Sequence, residues 1–196
     1  QQSGSIFPIR NENNEIHYIC IAVHDVTELV AYEQKLIEMT KRDMLTGIYN
    51  RRYLEERMKD EFEKHTRYHR TLSLIIFDLD HFKGINDTCG HQYGDYILKS
   101  IVSIVKPCLR TVDIFARYGG EEFCCILPET GIEAAALVAE RLKDAVSVQE
   151  YFFQNTLIKV TISLGVAEAG ENLRTIDALF KNADDALYEA KKNGRN

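Results

Sequence analysis

Apolar residues change their spacing along this chain, and the changes mark out its elements. Leu72-Ser73-Leu74-Ile75-Ile76-Phe77 is a near-continuous apolar run that stops at Asp78, the pattern of a buried strand. Val112–Ala116 and Phe123–Leu127 are β-prone runs on either side of Gly119-Gly120. Glycine reaches positive φ without a steric penalty, so this pair predicts a tight hairpin. Ile158–Val166 predicts a further strand. Helical spacing recurs near residues 51–65, 93–108, 132–148 and 175–192. The order helix, strand, helix, two strands, helix, strand, helix predicts an α+β sheet with helices packed on it. Its core would draw on Ile75, Phe77, Ile97, Ile101, Ile104, Ile126, Leu137, Val160, Ile162 and Leu187.

The first 40 residues follow a different plan. Ser5–Arg10, the turn-rich Asn11–Glu15 and Ile16–Val23 read as strand, loop and strand. A lone hairpin is marginal in water, so these strands are expected to belong to a larger sheet. Asp25-Val26-Thr27-Glu28 opens a helix running to Thr40. In it Leu29, Tyr32, Leu36 and Met39 fall at 3-4-3 spacing, which fits either a seam for a partner helix or an ordinary amphipathic helix. Three segments result: 1–25 as a fragment, 26–40 as a linker helix, and 41–196 as a full domain.

Composition narrows the function classes. A net charge of −6 argues against a nucleic-acid binder, which would carry a basic excess. No apolar run approaches membrane-span length and no signal peptide opens the chain, so a soluble cytoplasmic segment is expected, with any membrane anchor of the parent protein lying upstream. Five cysteines with no C-x-x-C pair, three of them in apolar segments, read as buried free thiols in a reducing cytoplasm. Cys124 and Cys125, being neighbours in a strand, should point to opposite faces.

The candidate chemistry is acidic. Glu121 and Glu122 follow the two glycines, and Asp78 ends a buried run. Paired carboxylates at a hairpin tip repel one another. They suit a divalent metal held against phosphate oxygens, although a solvated acidic turn and a capping Asp are the plainer readings. Asp78-x-Asp80 does not continue as a calcium loop, because Phe82, Lys83 and Cys89 stand where donor, glycine and glutamate are required. Asn86 and Asp95 flank Gly90–Gly94. Carboxylate and amide together can read a guanine edge, the alternative being a turn residue and a helix cap. Lys83, Lys191 and Arg195 are candidate phosphate contacts. No Walker A loop or G-x-G-x-x-G motif occurs, and His65 and His69 lack the glutamate of a metalloprotease helix.

Taken together, Asp43–Arg52, Phe77–Asp87, Gly90–Asp95, Arg117–Phe123 (here GGEEF) and Asp185–Lys191 with Gly194–Asn196 resemble the GGDEF family of diguanylate cyclases over residues 43–196. The resemblance implies a palm-like sheet related to class III nucleotide cyclases. It implies condensation of two GTP into cyclic di-GMP by a homodimer of facing domains. Asp78, the Leu79 carbonyl, Glu121 and Glu122 would hold two Mg²⁺ (or Mn²⁺), with Glu121 helping to deprotonate the 3′-hydroxyl. Asn86 and Asp95 match the guanine readers, and Phe82, Lys83, Gly119, Gly120, Lys191 and Arg195 match further nucleotide contacts. Arg110-x-x-Asp113 is similar to the family's product-inhibition motif, with Arg141 as a secondary arginine joining from another domain; a surface salt bridge would fit Arg110 and Asp113 equally well. Asp25-Val26-Thr27-Glu28 and the strands before it resemble the end of a PAS sensor domain running into a signalling helix.

Overall fold

The computed structural model describes residues 2–10, 12–170 and 175–195, so Asn11 and Asn196, both in segments named above, lie outside the described residues. The chain divides into two compact units, Gln1–Lys41 and Arg42–Asn196. In the first, β1 (Gln2–Arg10) pairs antiparallel with β2 (Ile16–Asp25), and α1 spans Thr27–Thr40. Asp25 starts the helix by accepting the Thr27 N–H at 3.0 Å. Leu29, Tyr32, Leu36 and Met39 are all exposed, as are Ile6, Phe7, Ile19 and Ile21 of the hairpin.

The second unit begins with β3 (Tyr49–Asn50), α2 (Arg51–Tyr68) and β4 (Leu72–Leu79). Then come α3 (Phe82–Cys89), α4 (His91–Val105), β5 (Ile114–Gly119) and β6 (Glu122–Pro128). The chain finishes with α5 (Ile132–Ser147), the short hairpin β7 (Tyr151–Phe153) and β8 (Thr156–Ile158), β9 (Ile162–Glu168) and α6 (Ile176–Lys192). Asn50 caps α2 through the Tyr53 N–H and Thr175 caps α6 through the Ala178 N–H, so both helices start where a polar side chain satisfies an orphan donor.

The main sheet runs β3-β5-β6-β4-β9, parallel only between β3 and β5. Every residue of β4 is buried, as its unbroken apolar run requires. Alternate side chains divide between two cores. Ile75, Phe77 and Leu79 pack with α3, α4 and α5, while Leu72, Leu74 and Ile76 pack with α2 and α6. Cys125 joins the first core and Cys124 the second, the opposite-face placement that adjacent strand residues must take.

Several sequence expectations shift here. Leu137 is 71% exposed on the outer face of α5, its place in the core taken by Ala135, Ala139, Leu142 and Val146. Ile104 sits only at the core's margin. The run Ile158–Val166 breaks after Ile158, because Thr161 leaves the strand to engage Asp80. The helix expected from residue 93 starts at His91, and its last turn tightens to a 3₁₀ turn over Lys106–Cys108. Cys20 is exposed and Cys89 and Cys108 are half-buried, so burial of the thiols is confined to Cys124 and Cys125.

Gly165 fixes the distance between sheet and α6. A Cβ there would stand 2.0 Å from the Ala183 carbonyl oxygen and 2.4 Å from the Leu187 nitrogen, both backbone atoms. Gly165→Ala is therefore expected to push the helix off the sheet and destabilise the domain by about 2 kcal/mol or more. Chemical denaturation would measure it, and an unchanged midpoint would contradict this packing.

Candidate active site

The site lies at the end of β4, where sheet register decides which side chains meet. β4 and β6 pair so that Asp78 lies directly opposite Glu122. Glu121 precedes it in the Gly119-Gly120 turn, and its carbonyl accepts the Leu79 N–H at 3.4 Å. Gly120 has φ +50° and the register slips between Arg117 and Gly119, so the turn is the tight hairpin that two glycines allow.

Arg117 latches this turn. Its guanidinium donates to the Gly120 carbonyl at 2.7 and 2.9 Å, and also reaches Asp43 at 3.2 Å. Burial pushes the Asp43 carboxyl up, but hydrogen bonds from Thr46 and the charge of Arg117 outweigh it and hold the group below its usual range. Nothing in the local pattern singles out Asp43 or Arg117 for this role, since the contact joins residues 74 positions apart.

Two carboxylates are crowded together. Burial raises the Asp78 carboxyl, the charges of Glu121 and Asp80 add to that, and Lys191 opposes it with a contact at 2.9 Å. Glu122 is likewise raised by burial first and then by Asp78. Lys191, in the last turn of α6, thus supplies the positive charge that this cluster needs. Among the described residues, no three carboxylate, thiol or imidazole groups converge closely enough to hold a metal ion as they stand. The donor chemistry nonetheless fits a hard divalent cation, because all the available side-chain donors are carboxylate oxygens whose mutual repulsion a cation would relieve.

Beside this cluster the chain buries a second acid. Asp80 accepts the Thr161 and Ser163 hydroxyls, each at 2.7 Å, and Arg195 approaches it at 3.9 Å. Arg195 itself has φ +65° just beyond Gly194, where the chain turns back after α6.

The paired residues Asn86 and Asp95 are neither turn nor cap. Asn86 lies within α3, and Asp95 lies inside α4, whose cap position is Gly90. Gly94, the residue before Asp95 in α4, sits against the Asn86 amide. Lys83 is exposed on α3. Phe82 is buried in the core, so its ring is not available to a nucleotide.

Arg110 and Asp113 lie elsewhere, at the approach to β5. They grip each other at 2.8 Å, and the Arg110 guanidinium also donates to Pro128 and Thr130. Arg141 belongs to α5 of this same unit and donates to the Cys108 carbonyl at 2.6 Å. A cavity of about 300 Å³ is lined by Arg42, Lys106, Arg110 and Asp113, and a neighbouring one of about 510 Å³ by Arg57, Lys64 and Arg70.

Raised carboxyl pKa values have a cost. A Glu122 held above its ordinary 4.5 binds its proton more tightly when folded. Its contribution to stability is present at low pH and is lost as pH rises through the folded value. In metal-free buffer Glu122→Gln should melt higher than the parent near neutral pH, with the gain disappearing as pH falls below about 4.5. Melting curves from pH 4 to 8 would show this, and a gain independent of pH would contradict it.

Residues 40–196 match the diguanylate cyclase GGDEF domain. The chain is 39% identical over 165 residues to Diguanylate cyclase A of Treponema denticola, covering 83% of this chain and 44% of that protein. It thus spans less than half the length of the curated relatives it matches. Among solved structures it superposes on the coiled coil and GGDEF domain of DgcB from Caulobacter crescentus in complex with c-di-GMP, with a TM-score of 0.82, 29% identity, and coverage of 87% and 90% of the two chains. It also superposes on the active GGEEF domain of a diguanylate cyclase from Vibrio cholerae, with a TM-score of 0.70, 33% identity, and coverage of 74% and 92%. The mixed five-stranded sheet is accordingly the palm-like sheet of those neighbours, and the chain belongs to the GGDEF family of diguanylate cyclase domains.

Proposed function

We propose that this chain is an active diguanylate cyclase, condensing two GTP into cyclic di-GMP. The observation that carries the reading is the register that sets Asp78 opposite Glu122, with Lys191 as their counter-charge. In each of two bond-forming events a 3′-oxygen attacks the α-phosphorus of the other nucleotide, the bond to pyrophosphate breaks, and the 3′-hydroxyl proton leaves. One domain holds one GTP, so two domains must face each other to make a homodimer.

Asp78, the Leu79 carbonyl, Glu121 and Glu122 would hold two Mg²⁺ or Mn²⁺ ions. When bound there, such cations acidify the attacking hydroxyl and neutralise charge on the phosphates. Glu121 would help to take the 3′-hydroxyl proton. The backbone at Gly119 and Gly120 would let the nucleotide approach closely, with the Phe82 backbone as a further contact. Lys83, Lys191 and Arg195 offer positive charge to the triphosphate. Asp95 accepts from the guanine N1–H and exocyclic amine while Asn86 supplies a donor and an acceptor, so adenine, which lacks those donors, is rejected. Positioning and electrostatics carry most of such a reaction.

The exposed seam Leu29, Tyr32, Leu36 and Met39 of α1 suits a helix pair that would set the approach of two domains. Residues 1–25 would then be the end of a PAS sensor and residues 26–40 its signalling helix, acting in the cytoplasm. Product would bind back at Arg110 and Asp113, with Arg141 of another domain as a further contact. The mutual grip of Arg110 and Asp113 has to open for the pair to hold guanine edges, and Arg57, Lys64 and Arg70 of the adjoining cavity would have to exchange their ion pairs with Glu61 and Glu129 for contacts to the dinucleotide.

Glu121→Ala should lower cyclic di-GMP formation by at least about a hundredfold while leaving the melting temperature close to the parent's. Turnover retained within a few-fold would remove Glu121 from the chemistry. Arg110→Ala should leave the initial rate intact and abolish slowing by added cyclic di-GMP. Inhibition that persists unchanged would end the product-site reading.

A further inference from the structure

Gly94 is an anomaly of its helix. It sits buried inside α4, where glycine costs roughly 1 kcal/mol relative to alanine. A methyl group at this position would stand 1.9 Å from Asn86 Oδ1, 3.0 Å from Asn86 Cγ and 3.1 Å from Phe82 Cζ. None of these atoms is backbone. Phe82 is 7% exposed, and its ring would have to give by only a few tenths of an ångström. The Asn86 amide is the far end of a partly exposed side chain and can swing aside.

The contrast with Gly165 decides what each glycine is for. At Gly165 the obstructing atoms belong to the backbone of α6, so a side chain there damages the fold. At Gly94 the obstructing atoms belong mainly to one amide, so the cost falls on where that amide points. We infer that Gly94 sets base specificity by leaving the space in which the Asn86 amide is seated, which makes it a positioning residue for guanine recognition. The inference rests on the reading of Asn86 as a guanine contact.

A four-variant titration separates the two ideas. A non-hydrolysable GTP analogue with Mg²⁺ would be titrated calorimetrically into the whole chain as parent, Gly94→Ala, Asn86→Ala and the double variant, with a melting curve for each. Gly94→Ala is expected to weaken binding about tenfold, the loss that follows from one misplaced hydrogen-bonding group, while melting close to the parent temperature, the better helix former offsetting the small shift asked of Phe82. Asn86→Ala should weaken binding by a similar factor. In the double variant the amide that the methyl group displaces is gone and only the slight Phe82 contact remains, so the second change should add little further to the loss. Parent-like affinity in Gly94→Ala together with weak binding in Asn86→Ala would overturn the role of Gly94 and leave the guanine reading standing. Parent-like affinity in Asn86→Ala would overturn the guanine reading itself. Losses that add in the double variant, or a lowered melting point in Gly94→Ala, would show that Gly94 acts through the fold instead.

Discussion

Two carboxylates facing each other at the end of a buried strand are the constraint around which this domain is organised. The pairing of β4 with β6 sets Asp78 opposite Glu122, and a slip of β6 by one residue would turn Glu122 to the other face of the sheet from Asp78. That register is held by apolar contacts on both sheet faces, with Phe77 stacked on Phe123 at 5.2 Å between ring centres immediately beneath the acidic pair. Such an arrangement opposes stability locally, because burial and repulsion both resist ionisation. The rest of the domain supplies what the site lacks: Lys191 from the end of α6, Arg117 across the glycine turn, and hydroxyls from the start of β9 for the neighbouring Asp80.

The close packing at Gly165 belongs to the same scheme. α6 carries Lys191, and its approach to the sheet decides whether that ammonium reaches Asp78. Position in the active site is thereby tied to a backbone contact a full helical turn away. Gly94 plays the corresponding part on the opposite sheet face, where α3 and α4 meet. One glycine lets a helix close on the sheet and the other lets a side chain lie between helices.

What the sequence disclosed follows from the range of the interactions involved. The apolar run ending at Asp78 and the glycine pair before Glu121 are local signals, and strand and turn appear where they point. Helix α3 was not anticipated, because Phe82–Cys89 offers only Phe82 and Ile85 as buried apolar residues and opens at His81 without a side-chain cap. Leu137 fits a helical apolar stripe, but its neighbouring alanines let the sheet come close and leave it outside. Asp43 with Arg117 and Asp80 with Ser163 join residues more than 70 positions apart, so no spacing rule could pair them. The carboxylates could be found from their motif, whereas the groups that orient them became visible only with the fold.

The central claim, that facing domains each bring one GTP to this acidic cluster, is tested most directly by incubating the whole chain with GTP and Mg²⁺ over a wide range of protein concentrations. Cyclic di-GMP and pyrophosphate would be quantified together. The account predicts two pyrophosphates per cyclic dinucleotide and a rate per chain that rises with concentration as domains pair. GTP that binds but yields no product at any concentration, or a rate per chain independent of concentration down to dilutions where no dimer persists, would contradict it.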